Sequence, residues 1–252
     1  MVQAVRDYVM DSIDWDCEIN TLFQDHNLGC KHAVSGAISW FFENEEMGII
    51  LEDDCLPDLS FFMFCQELLE RYKDNEQIMM IAGTNYLFNK VEMKESYYFS
   101  KYYAIWGWAT WKRAWLYYDV NMSDWPRMRE EKYLSSFFCH PRIVAFFEEM
   151  ANKTYNGQLD TWDIQWVITC AAKSGLAICP KYNLVSNIGA IGTHYKRASR
   201  FNFMPVKQID IPKMVHPTHI IQNTTLDRIC FNEVTKTPLW KRVIMKILRL
   251  VR

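Results

Sequence analysis

The chain has 252 residues, half of them hydrophobic, with 23% charged and a formal net charge of -2. That length suits a single α/β domain able to bury a sizeable core, and the sparse Gly and Pro exclude a chain that is mainly disordered or repetitive. A charge so close to balance excludes a general attraction to nucleic acid, so no nucleic-acid partner is expected and any anionic ligand must be held locally.

In chain order, residues 2–12 read as a short helix, and residues 17–23 alternate apolar and polar side chains as a half-buried strand does. Asp25-His26-Asn27-Leu28-Gly29 is a turn, after which Ala33, Ala37, Ile38, Phe41 and Phe42 fall at helical spacing over residues 30–44. Gly48-Ile49-Ile50-Leu51 is a short, wholly apolar run that suits a strand buried on both faces. Residues 59–72 read as a helix, and Ile78-Met79-Met80-Ile81-Ala82 as another buried strand closed by Gly83. Residues 97–118 are dense in aromatics. A helical pattern returns over residues 162–173, with Gly175 past its end and a short strand over 176–179 before Pro180. Strands alternating with helices predict a mostly parallel sheet.

Glu52, Asp53 and Asp54 directly follow the first buried strand, which puts them at the carboxyl edge of the predicted sheet, where α/β folds bind ligands. Three adjacent acids repel one another, so a divalent cation, Mn²⁺ or Mg²⁺, is a natural partner, and it would steady the charge growing on a departing diphosphate. The same acids also fit a solvated turn or a cap for the helix that begins near Leu59. Asp160 and Asp163 open the helix over 162–173 among bulky aromatics, where a carboxylate can take a proton from an attacking hydroxyl or simply cap the helix. Gly189-Ala190-Ile191-Gly192-Thr193-His194-Tyr195 is a small-residue loop whose His194 suits either a metal shell or a hydrogen-bonded structural role. Trp106, Trp108 and Trp162 offer indole faces to a sugar ring, or belong to the core.

Four runs in order, Ile49-Ile50-Leu51-Glu52-Asp53-Asp54-Cys55-Leu56-Pro57, Ile105-Trp106-Gly107-Trp108-Ala109-Thr110-Trp111, Thr161-Trp162-Asp163-Ile164-Gln165-Trp166 and Asn183-Leu184-Val185-Ser186-Asn187-Ile188-Gly189, resemble bacterial nucleotide-diphospho-sugar transferases, some of them labelled hemolytic-protein-like. The resemblance spans roughly residues 5–200. More distantly, the acidic triplet with its Pro and Phe-rich helix, the Gly-Trp and the Trp-Asp are similar to eukaryotic Golgi N-acetylglucosaminyltransferase I. The resemblance implies a GT-A, Rossmann-like α/β fold and an inverting transfer from a nucleotide sugar, most readily a UDP-sugar, to a glycan or lipid-linked acceptor. It implies that Asp53 faces the ribose, Asp54 binds the metal, Asp163 is the base and His194 is a further metal ligand; the neighbouring Asp160 is the second choice of base. Family members begin with a strand and helix that this chain lacks, so the sheet is expected to miss an interior strand.

Residues 1–205 are thus expected to form the transferase domain and 206–252 a C-terminal extension. Within it, residues 236–252 place Trp240, Val243, Ile244, Ile247, Leu248 and Val251 on one helical face and cations mainly on the other, which fits peripheral contact with an anionic membrane or a helix packed against the domain. The eight cysteines show no CxxC pair and read as buried free thiols of a reducing cytoplasm. The first residues lack the apolar stretch of a secretory signal, and no run reaches the roughly 18 apolar residues of a membrane span, so a cytoplasmic location is expected. Rival expectations are a nucleotidyl or sugar-phosphate transferase, for which the usual basic glycine-rich loop is missing, and a non-catalytic carbohydrate-binding or membrane-active protein.

Overall fold

A computed structural model of the chain describes residues 2–87, 90–138, 140–189 and 200–235. Its elements in order are α1 (Val2–Ser12), α2 (Gly29–Asn44), β1 (Met47–Ile50), β2 (Cys55–Pro57), α3 (Leu59–Arg71), β3 (Ile78–Ala82), β4 (Tyr97–Ser100), β5 (Trp108–Trp111), α4 (Lys112–Trp115), α5 (Trp125–Glu130), α6 (Tyr133–Phe138), α7 (Pro141–Tyr155), α8 (Asp163–Ala172), β6 (Leu176–Pro180), β7 (Val185–Asn187) and, after a 3₁₀ turn at Ile211–Lys213, α9 (Thr224–Val234).

Five strands form a sheet in the order β1-β5-β3-β6-β4, and β2 pairs with β7 in a separate two-stranded ladder. The architecture is mixed α/β, but the expectation of a mostly parallel sheet is corrected. Among the described residues, β3–β6 is the one parallel pair of strands in this sheet, whereas β1–β5, β3–β5 and β4–β6 are antiparallel. A parallel neighbour needs a long crossover, usually a helix. Among the described residues β3, β4 and β5 follow one another without one, while α4 to α8 intervene between β5 and β6. The pairings leave β1, β3 and β6 pointing one way and β4 and β5 the other.

Alternation along the strands feeds two cores. On β6, Leu176 and Ile178 face the α3 side with Phe61, Phe64 and Leu68, while Ala177 and Cys179 join Trp108, Trp166 and the helices α5 to α9. On β3, Met79 and Met80 both join the second cluster, and the register shift between Ile78 and Met80 accounts for the broken alternation. Phe61, Phe64 and Leu68 are fully buried, each contributing about 2 kcal/mol by removal of apolar area from water. Arg113 ties the two layers, its guanidinium donating to the carbonyls of Lys73, Tyr72 and Ile78 at 2.7, 3.0 and 2.9 Å. This places a cation at the C-terminal end of α3, where the helix dipole favours one.

Two further expectations are corrected at the N-terminal end. Residues 17–23 form no strand, because alternation supplies a face but no ladder partner, and Ile19, Leu22 and Phe23 are exposed. β1 is half-buried rather than buried on both faces, since among the described residues it pairs with β5 alone and so lies at the sheet's edge. α1 buries none of its residues.

Among the described residues no helix is long and apolar enough to cross a membrane. Cys17, Cys30, Cys55, Cys65, Cys170, Cys179 and Cys230 are free thiols. The amphipathic segment 236–252 and the loop bearing His194 lie outside the described residues.

Candidate functional site

The register collects the candidate motifs at one edge of the sheet. Ile50, the last residue of β1, and Ala82, the last of β3, both lie opposite Trp108, the first of β5. Glu52-Asp53-Asp54, Gly83-Thr84 and Trp106-Gly107 therefore emerge side by side. Gly83 N–H donates to the Gly107 carbonyl at 2.8 Å, and the Thr84 hydroxyl donates to that of Trp106 at 2.8 Å. Gly107 has a φ of 63°, and a Cβ there would stand 2.7 Å from a Val185 methyl, so only glycine lets this turn close against β7.

The triplet is a turn held at both ends. Cys55 N–H donates to the Glu52 carbonyl at 3.0 Å, and Ile188 N–H to that of Asp54 at 2.8 Å. Asp54 is partly buried, its carboxylate set against Gly189, where a Cβ would come within 2.4 Å of Oδ2. Asn202 donates to the Gly189 carbonyl at 3.0 Å and also bonds Asn187. Asp53 is exposed. The acids do not cap α3: that role belongs to Asp58, whose Oδ1 accepts from Ser60 N–H at 2.8 Å.

Asp163 is the first residue of α8 and is brought to the same place. Its Oδ1 accepts from the Thr161 hydroxyl and from Ile164 N–H, the latter at 2.8 Å, which fixes the carboxylate's orientation. Tyr118 anchors the turn before it by donating to the Trp162 carbonyl at 3.0 Å. Glu52 reports the convergence. Burial lifts its carboxyl from an ordinary 4.5 to about 7, and the charges of Asp54, Asp163 and Asp53 add to the effect, against a partial offset from the Trp162 side chain.

Asp160 is turned to other work. Its two oxygens accept from Cys30 and Lys31 N–H at 2.9 and 3.0 Å, capping α2, whose own flanking residue Leu28 supplies no side-chain cap. It is thus corrected from second-choice base to a helix cap supplied from more than a hundred residues away. Trp108 and Trp162 are likewise corrected as stacking platforms: they are 0% and 2% exposed and stack on each other, with centroids 5.5 Å apart, so neither face can meet a sugar. Trp106 is partly exposed beside Tyr86 and keeps that possibility.

Sequence reasoning missed Cys30. Burial and the charges of Glu52, Asp160 and Asp163 push its thiol up to about 11, which makes it a neutral, unreactive wall of the acidic cluster. No signal in the chain links position 30 to position 163. It also missed the buried amide pair that carries β7. Asn85 donates to the Pro180 and Lys181 carbonyls at 2.8 and 2.9 Å, and Asn183 accepts from Asn85 N–H at 3.1 Å.

Among the described residues no three His, Cys, Asp or Glu side chains close into a ready metal shell. The donor set still fits a hard cation of the magnesium type, which is commonly bound through one or two carboxylates with phosphate and water oxygens completing its shell.

No model of a known protein family matches the chain, and no curated protein matches it.

Proposed function

We propose that the chain is an inverting glycosyltransferase of the GT-A type, moving a sugar from a nucleotide diphosphate sugar, most readily a UDP-sugar, to a hydroxyl of a glycan or lipid-linked acceptor on the cytoplasmic side of a membrane. One observation carries this reading: carboxylates from two distant segments meet at a single sheet edge, where the charges of Asp54, after β1, and Asp163, at the start of α8, add to the effect of burial in raising the proton affinity of Glu52. Inversion needs a base on the sugar face opposite the leaving group. Asp163 has one oxygen fixed by Thr161 and Ile164, which leaves Oδ2 to accept the proton of the attacking hydroxyl. Asp53, exposed on the turn, is suited to the donor's ribose. A divalent ion at Asp54 would supply charge stabilisation to the diphosphate. Trp106 borders the opening as the remaining aromatic surface for a sugar.

UDP-sugar hydrolysis by the purified chain, measured with and without Mn²⁺, tests the reading. Manganese-stimulated release of UDP that disappears in Asp163→Asn is expected. No release from any UDP-sugar or other nucleotide sugar, with or without metal, would remove sugar transfer from consideration.

A further inference from the structure

The described residues hold a second concave site, away from the acidic turn. A cleft of about 240 Å³ lies where the end of β4, the start of α7 and the first turn of α9 meet. Ser100, the last residue of β4, lies opposite Ala177 near the start of β6, and β6 runs parallel to β3, whose far end adjoins the acidic turn. The cleft thus belongs to the other edge of the sheet. One of its lining residues is a buried carboxylate. Asp227 is 4% exposed, and its oxygens accept from the Ser100 hydroxyl, from Lys101 N–H at 3.0 Å and from the Gln222 side-chain amide at 2.7 Å. A carboxylate has about four acceptor positions, so three bonds leave one. His140 also lines the cleft, and its Nδ1 is buried with no hydrogen-bond partner among the described residues, which is costly unless a bound group meets it. Thr225 and Arg228 are exposed at the start of α9, and neither side chain has a partner among the described residues. Tyr102, Phe138 and Ile143 supply an apolar wall.

These groups define the ligand's chemistry. A bare anion would be drawn to Arg228 and to the first turn of α9, but Asp227 stands in the same part of that helix and opposes it. A bare cation would meet Arg228. The two charges offset each other, and what remains is a mixture of acceptors, donors and hydroxyls beside an apolar wall. That mixture suits a neutral molecule carrying both hydroxyls and apolar C–H faces. The volume lies below the roughly 300–1,000 Å³ of sites for drug-sized ligands, so it suits one small ring rather than an extended chain. We infer that the cleft between β4, α7 and α9 binds a single neutral sugar residue, with Asp227, His140, Thr225 and Arg228 as its polar contacts. The assignment does not rest on the sugar-transfer reading, because it shares no residue with the acidic turn or with Asp163.

The test is saturation-transfer NMR on the full chain with D-glucose, D-galactose and N-acetyl-D-glucosamine, with inorganic phosphate titrated separately. At least one of the sugars is expected to take up saturation from the protein. Thr225→Val with Arg228→Leu removes two exposed side chains that hold nothing in the fold, so the melting temperature should barely change. The dissociation constant of the bound sugar is expected to rise at least about tenfold in that variant, as for the loss of a hydrogen bond to a charged group. Asp163→Asn should bind the sugar as the unaltered chain does, which separates this cleft from any sugar held at the acidic turn. The inference is overturned if no sugar takes up saturation, if the double variant binds the sugar unchanged, or if Asp163→Asn abolishes the binding. Phosphate bound in place of sugar, and lost in the double variant, would make the cleft an anion site and overturn it as well.

Discussion

Glu52→Gln removes the cost of a carboxyl that is buried at the end of β1 and, to a smaller extent, set beside the charges of Asp54, Asp163 and Asp53. With its carboxyl raised from 4.5 to about 7, Glu52 binds its proton more tightly in the folded protein than in the unfolded chain. The folded state therefore holds more protons between about pH 4.5 and about 7, and stability falls as the pH rises through that window. Below it both states are protonated and the residue contributes nothing; above it the full penalty is present. The shift corresponds to on the order of 3 kcal/mol, which solvent reaching the half-buried side chain reduces to about 2 kcal/mol. Gln keeps the size and cannot ionise, so the variant should match the unaltered chain near pH 4.5 and exceed it by about 2 kcal/mol at pH 8. For a chain of this size that is a rise of roughly 4–8 °C in melting temperature. Urea unfolding at a series of pH values, followed by the fluorescence of the buried tryptophans, measures the difference directly. Stability profiles for the two proteins that stay parallel from pH 4.5 to 8 would refute the convergence of Glu52 with Asp163 and Asp54, and with it the main support for a shared site.

Asp163→Asn keeps the acceptor oxygen for Thr161 and Ile164, so its melting temperature should barely change, while turnover on a UDP-sugar should fall at least about a hundredfold; near-normal turnover would make Asp163 structural. Asp160→Ala should do the reverse, costing about 1–2 kcal/mol through the lost cap of α2 with no separate kinetic signature, and unchanged thermal unfolding would contradict that role. Asp54→Asn should abolish manganese-dependent UDP binding in calorimetry while leaving the fold intact, because a carboxylate at the sheet edge contributes little to the core; unaltered affinity would exclude Asp54 as a metal ligand.

What could be read in the chain and what could not divide along physical lines. Short apolar runs such as 78–82 and 176–179 identify strands because covering both faces of a sheet demands apolar side chains on each, and the helices at 30–44, 59–72 and 162–173 follow from spacing; each lies within a residue or two of its place in the structure. Strand direction is not carried by such runs. β4 and β5 read like any other buried strand, and only the lack of a crossover helix between 83 and 107 hints that they run against β3. At the site, the acidic turn was legible because consecutive like charges after a buried strand are costly and therefore conspicuous. The division of labour between Asp160 and Asp163 was not, because both sit within one turn of the start of α8 and differ only in what faces them. Asp160 meets the Cys30 and Lys31 amides of α2, which Leu28 does not cap, whereas Asp163 meets Glu52. A sequence shows which carboxylates are near a helix start; the surrounding fold determines which of them is already occupied, and therefore which is available for chemistry.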